Sequence, residues 1–175
     1  MGKIKPPILH FAPEESLSRE LRKLYGSNYQ TADLFQTSDI KLDIENLAIE
    51  DRTIGTIMCH HVLEHVDDIK ALKEANRVLI EGGLFICSVP IIEGWEKTYE
   101  NDSLVGAENR HEYFGQYDHL RYYGRDFRER LLGAGLHLDC EFTAEAETTV
   151  KYGLERGEKV FICSPIFSPS VKAPS

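Results

Sequence analysis

The chain has 175 residues and a formal net charge of −9, with apolar, charged and aromatic shares ordinary for a globular protein; this is enough for one domain, 1–175, around a buried core. The acidic balance argues against nucleic acid and anionic lipid as partners, and no apolar run is long enough to cross a membrane. The start, MGKIKPPILHFAPEE, lacks the apolar centre of a secretory signal, and Pro6 stands where a myristoylation pattern needs Ser or Thr. Cys59, Cys87, Cys140 and Cys163 lie far apart with no zinc-finger spacing. The expectation is reduced, buried thiols and a cytoplasmic protein.

PPILHFA is a short apolar run behind two prolines and predicts a buried strand. EESLSRELRKLYG places Leu17, Leu21 and Leu24 at helical spacing, with Gly26 as the stop. YQTADLF predicts a second strand ending near Asp33, and IKLDIENL a third, ending near Asp43. TIGTIMCHH is a fourth, β-branched and apolar until it meets the histidines. Asp67 and Asp68 cap a helix, DIKALKEANRVLIEGG, with Ile69, Leu72 and Leu79 on one face and Gly82-Gly83 at its end. LFICSVPII is a fifth strand, apolar on both faces.

Residues 92–124 form an insertion rich in aromatic and polar side chains. Its RHEYFGQYDHLRYYGRDFRER stretch reads equally as a small anion-binding patch or a solvated helical face. GRDFRERLLGAG predicts a helix with Phe127, Leu131 and Leu132 inward. LHLDCEF alternates, with Leu136, Leu138, Cys140 and Phe142 on one face. KVFICSPIF is a last buried strand. The two can pair antiparallel at one edge of the sheet, joined by the polar TAEAETTVKYGLERGE, and 168–175 is a frayed tail. Strands and helices in alternation imply a parallel sheet covered on both faces.

Ligands of open parallel sheets bind outside the carboxyl ends of the strands. That rule gathers the loop after Phe11, Asp33, Asp43 and the segment Cys59–His61. Within CHHVLEHVDD, His61-Val62-Leu63-Glu64-His65 also spells H-x-x-E-H. On a helix this would turn His61 and His65 toward zinc, with Glu64 as base. Position argues against it: His60 and His61 end a buried strand, and only about one helical turn separates them from the next cap. Glu74, the acid available in sequence as a third ligand, lies on the following helix. The expectation is no metal, with Glu64 and His65 hydrogen-bonded in a structural turn.

The segment DIENLAIEDRTIGTIMCHHVLEHVDDIKALKEANRVLIEGGLFICSVPI resembles the class I S-adenosylmethionine-dependent methyltransferases, in particular the type 11 group. The likeness lies in an Asp before the fourth strand, a VLEHV turn, and a helix ending RVL-x-x-GG before the fifth strand. YGRDFRERLLGAGL is similar to the late helix before the sixth strand, and the resemblance runs from Ile8 to Phe167. It implies an α/β fold: a doubly wound, mostly parallel Rossmann-like sheet with an antiparallel C-terminal edge strand pair. It implies S-adenosylmethionine as cofactor and S-adenosylhomocysteine as product. Asp33 would accept hydrogen bonds from the ribose hydroxyls, Asp43 would lie near the adenine amino group with Ile44 beside the ring, and Cys59, His60 and His61 would flank the methionine part. Singly, Asp33 and Asp43 also read as turn formers.

The first loop departs from the family. His10 stands in place of its acid, and Ala12, Glu14 and Ser16 fall where its glycines would be, with Pro13 stiffening the turn. Phe11, Ala12, Pro13 and Glu14 are therefore expected to hold the cofactor with Ala12 giving close approach and Glu14 a contact to the methionine ammonium. Weak binding, or a catalytically degenerate fold serving as a binding or assembly module, is the alternative. The chain also reaches its first strand without the helix that covers the pocket in many relatives. The site is thus expected to be open, or lidded by the insertion or by a partner subunit of a homodimer.

Methyl transfer is an in-line displacement at a sulfonium carbon, so the protein mainly aligns the acceptor and takes its proton. In the resembled class the acceptor contacts come from the insertion, here with Trp95, Tyr99, Tyr113, Phe114, Tyr117 and Tyr122. His119 and Asp118 are the catalytic candidates, as a base or acceptor-binding pair. His111 stands behind them, and an ordered turn capped by Asp118 is the structural alternative. Arg121 and Arg125 can hold a carboxylate or phosphate on the acceptor. The expected acceptor is a small molecule, a sugar or secondary metabolite, and no residue separates O-, N- and C-methylation. A dinucleotide oxidoreductase would need the missing glycine turn still more, because that turn meets two phosphates.

Overall fold

The computed structural model describes residues 3–34, 38–101, 103, 106–152 and 156–167. Strands β1 (Ile8–Phe11), β2 (Tyr29–Asp33), β3 (Ile40–Lys41), β4 (Ile54–His60) and β5 (Leu79–Ser88) run parallel. Helix α1 (Glu15–Tyr25) joins β1 to β2, and α2 (Asp68–Val78) joins β4 to β5. The insertion contributes β6 (Tyr99–Glu100), α3 (Ala107–Phe114) and β7 (Arg121–Tyr122), with β6 and β7 forming a separate antiparallel pair. Helix α4 (Phe127–Gly133), β8 (Leu136–Thr143), α5 (Ala146–Tyr152) and β9 (Lys159–Pro165) complete the chain.

The sheet order is β3-β2-β1-β4-β5-β9-β8, with β9 antiparallel to both neighbours. This is the doubly wound, mostly parallel Rossmann-like sheet with an antiparallel edge pair expected above. One face packs on α2 and α4, through Ala71, Leu72, Ala75, Phe127 and Leu131. The other packs on α1, where Leu21 meets Ile8, Tyr29 and Met58. Chain order reverses between β1 and β4, so a crevice opens at their carboxyl ends.

Four local expectations change. Helix α2 stops at Val78, and Leu79 is already strand, paired with Ile54. The next β5 partnership is Leu84 with Thr56, so Ile80–Gly83 bulge out of register. Gly82 takes a φ of +65° in that bulge; the glycines shape a strand irregularity and do not cap the helix. In β8, Leu138 pairs with Cys163 but Cys140 with Ile162, so Asp139 is an extra residue. A one-residue slip moves every later side chain to the other face. Leu136 and Leu138 therefore join the α4-side core, while Cys140 lies on the opposite face. Leu24 and Leu132, expected inward, point to solvent at 75% and 59% exposure. Finally, α5 forms in what read as a polar link; the tail 168–175 lies outside the described residues.

Candidate active site

The crevice holds a cavity of about 400 Å³, bordered by Phe11, Ala12, Asp33, Leu34, Leu42, Ile44, His61, Val62, His65, Val66 and Asp118. A wider, open groove along α1 shares Ala12 and Asp33 with it and includes Pro13, Arg19 and Arg22. Two cavity residues have unusual backbone. Ala12 has a φ of +44° and His61 of +50°, a left-handed conformation that costs a non-glycine residue roughly 1–2 kcal/mol. Ala12 thus performs with a methyl group the turn that glycine makes in the resembled family.

The rest of the first loop is tied down by its own side chains. His10 is fully buried; its Nδ1 shares a 2.8 Å hydrogen bond with the Tyr29 hydroxyl, and its Nε2 lies 3.0 Å from Glu14 Oε2. Burial pushes the Glu14 carboxyl up, but the His10 hydrogen bond and its own backbone outweigh this and hold it below the usual range. Glu14 therefore faces His10, and it does not border the cavity.

The remaining expected residues separate. Asp33 and Ile44 border the cavity. Asp43 is exposed, and its Oδ1 accepts a 2.9 Å hydrogen bond from the Glu45 amide, closing the 43–46 turn. Cys59 is wholly buried in the core on the α2 side, and burial pushes its thiol pKa far up. His60 hydrogen-bonds Ser88 Oγ at 3.1 Å and lies beside His10, ring centroids 6.2 Å apart. Leu34, Leu42, Val62, His65 and Val66 were not among the expected cavity residues. Val62 and Val66 sit in the VLEHV turn itself, and Leu34 directly follows Asp33, so adjacency in sequence was the available signal.

The turn after β4 is not the α-helix a zinc-binding HxxEH needs: His61 is left-handed and Leu63–His65 form one turn of 3-10 helix. His61 hydrogen-bonds Glu64 Oε1 (3.2 Å) and Glu158 Oε1 (3.1 Å). The Glu64 bond, against a desolvation effect, raises its pKa to about 9, so it is cationic at neutral pH. Glu74 is spent on Arg77 and the Leu47 amide.

Asp118 and His119 part company. Asp118 borders the cavity and lies 3.3 Å from His65 Nδ1. His119 is buried and borders an adjoining cleft of about 370 Å³ with His61, Glu64, His65, Pro90 and Gln116. Burial, then the neighbouring His65, pushes its pKa down. His111 stacks on Tyr117, ring centroids 4.4 Å apart. Arg121 is buried and donates to the Leu63 and Val66 carbonyls and to Glu100, so it braces the turn from within and offers no free charge to an acceptor. Arg125 is half exposed and lies 3.5 Å from Glu96.

Sheet order and crevice are those of the Rossmann-like methyltransferase fold. Residues 16–87 match the type 11 model of a family described as a methyltransferase domain. No curated protein sequence matches the chain. Among solved structures, an S-adenosylmethionine-dependent methyltransferase from Mesorhizobium loti superposes with a TM-score of 0.65 at 12% identity, covering 92% of this chain and 91% of that one. The 1,6-didemethyltoxoflavin-N1-methyltransferase of Burkholderia thailandensis, with bound 1,6-didemethyltoxoflavin and S-adenosylhomocysteine, has a TM-score of 0.63 at 13% identity, covering 91% and 71%. The 4+2 cyclase SpnF has a TM-score of 0.64 at 12% identity, covering 95% and 77%.

Proposed function

We propose that this protein transfers a methyl group from S-adenosylmethionine to a small-molecule acceptor. The observation that carries the reading is that Ala12 and His61, both non-glycine residues in left-handed backbone, border one cavity with Asp33. Strain of this kind costs about 1–3 kcal/mol per residue and gathers at functional sites. The cavity's volume, about 400 Å³, lies within the range of small-molecule sites.

The lining fits the cofactor. Asp33, at the end of β2, is placed for the ribose hydroxyls. Leu34, Leu42 and Ile44 offer an apolar surface for adenine. Bound there, the cofactor supplies an electrophilic methyl group on sulfur. The chain then has to hold an acceptor in line with that methyl and receive its proton. Asp118 at the cavity edge and His119, neutral in its buried setting, are the groups for that task. From His119 an aromatic cluster of Tyr122, Trp95, Tyr99 and Phe114 continues outward, beginning 6.4 Å away at Tyr122, and it can cover an acceptor ring.

Calorimetry with S-adenosylhomocysteine tests the reading. Wild type is expected to bind saturably, and Asp33→Ala to bind roughly 10- to 100-fold more weakly, the effect of losing about 1.5–3 kcal/mol of charge-assisted hydrogen bonding, with a cooperative unfolding transition retained. No binding by wild type at millimolar ligand would reject it. A second reading, a degenerate fold that binds or assembles without methyl transfer, is favoured by the glycine-free first loop and by a cyclase on the same fold.

A further inference from the structure

Glu64 and His65 sit on the 3-10 turn after β4, and His119 on the loop before β7. One carboxylate oxygen of Glu64 and one ring nitrogen from each histidine lie within 4.8 Å of one another. The two imidazole rings meet edge to face with centroids 4.7 Å apart. Glu64 is 1% exposed and His119 6%. Two of the three also carry a buried polar atom that makes no hydrogen bond, Glu64 Oε2 and His119 Nδ1. Native interiors leave few such atoms, and each calls for its own explanation. Two on residues whose ligand atoms lie this close together have a common one.

We propose that Glu64, His65 and His119 form a three-ligand site for a divalent transition metal, with zinc the ion its donors suit best. Two imidazoles and a carboxylate are the set that zinc takes in open sites, where a fourth position stays free for water or substrate. Its ligand atoms lie at about 2.0–2.2 Å from the ion, so the side chains draw inward on loading. The frame for this is rigid. The Leu120 amide donates to the Glu64 carbonyl at 2.8 Å, and Arg121 and the Tyr123 hydroxyl donate to the Leu63 carbonyl. These bonds lock the segment carrying His119 to the turn carrying the other two ligands. Supporting groups are in place as well: His61 Nδ1 holds Glu64 Oε1, leaving Oε2 for the ion. Asp118 Oδ2 lies 3.3 Å from His65 Nδ1, placed to orient that ring and leave its Nε2 for the ion.

His61 and His65 border both the cavity and the adjoining cleft. An ion held here would lie beside the proposed cofactor position and could polarise an acceptor oxygen or nitrogen and ease its deprotonation. That use rests on the methyl-transfer reading and leaves Asp118 to take the proton, since a metal-bound His119 is no longer a base; the metal site itself does not rest on that reading.

The test needs neither cofactor nor acceptor. Chelator-stripped protein is titrated with zinc against a chromophoric competitor, and its melting temperature is followed with and without zinc. One zinc per chain is expected, with a rise in melting temperature because the ion binds the folded state. His119→Ala and Glu64→Gln should each lose about 100-fold or more in affinity and the zinc-induced rise, while keeping a cooperative metal-free transition. His137→Ala and His111→Ala, at exposed histidines, should bind as wild type does. If either cluster variant fails to fold, His65→Ala at the part-exposed corner reads the same loss. Unsaturable zinc binding by wild type, or wild-type affinity in His119→Ala, overturns the proposal. Zinc binding without S-adenosylhomocysteine binding would reject the methyl-transfer reading and leave the metal site standing.

Discussion

Two polar clusters lie side by side along the seam between the turn after β4 and the insertion. In the first, Asp68 is 2% exposed yet fully partnered: Arg130 reaches Oδ2 at 2.9 Å, Arg121 lies 3.7 Å from Oδ1, and the Tyr123 hydroxyl donates at 3.1 Å. Glu100 takes the far ends of both arginines, at 3.0 and 2.6 Å. In the second, Glu64 and His119 are similarly enclosed but leave Glu64 Oε2 and His119 Nδ1 without hydrogen bonds. Burial is alike, satisfaction is not. A saturated cluster joins α2, α4 and the insertion; an unsaturated one, held rigid by the first, is shaped for something else.

That contrast can be broken most sharply at Asp68. Asp68→Ala should destabilise the protein by about 3 kcal/mol, because it removes the buried carboxylate that Arg130 and the Tyr123 hydroxyl bond and that Arg121 faces. Glu64→Gln in metal-free protein should cost less, about 1 kcal/mol, because Gln keeps an oxygen for His61, which is half exposed and retains Glu158. Urea unfolding of the two side by side reads the difference, and equal losses would dissolve the distinction. Next in size, Tyr123→Phe removes hydrogen bonds to Asp68 and the Leu63 carbonyl and should cost roughly 1–3 kcal/mol.

Glu100 gives a smaller, pH-dependent effect. Burial pushes its carboxyl up, but Arg130 and then Arg121 outweigh this and hold it below its ordinary value of 4.5. A depressed carboxylate stabilises the fold above its unfolded pKa and loses that contribution as pH falls through the folded one. The gap in urea midpoint between wild type and Glu100→Gln should therefore be present at neutral pH and close below about pH 4.5. With 40% of the side chain exposed, it should not exceed about 1 kcal/mol. The smallest expected change is Ala12→Gly. Relief of the left-handed backbone, roughly 1–2 kcal/mol, is offset by the entropy glycine loses on folding, about 0.5–1 kcal/mol. A slight gain in stability is expected; a loss above about 1 kcal/mol would mean that the Ala12 methyl is held by packing.

Much of this was legible in the sequence because it is periodic or local. Strands β1, β2, β4, β5 and β9 are dense in apolar or β-branched residues, and Asp67 caps α2 through a 3.1 Å bond from the Lys70 amide. Asp33 follows from its place at a strand end, which topology puts at the crevice. The bulge at Asp139 was not legible: it depends on the partner strand's register, and it turned a strictly alternating stretch into one that changes face midway. Arg121 looked like an acceptor ligand because its composition allows that role; its burial, decided by packing against Leu63 and Val66, assigns it another.

The sequence by itself determined the sheet, the class of fold and the acid that faces the crevice, since these follow from hydrophobic period and chain order. It placed His61 and His65 in one pattern and His119 in another, with nothing to connect them. Only the tertiary structure decided that His61 turns toward Glu158 while Glu64 and His65 meet His119. The reason is physical: which side chains converge at a buried point depends on how distant segments dock, and here the docking is made by backbone hydrogen bonds and a buried arginine that no local pattern encodes.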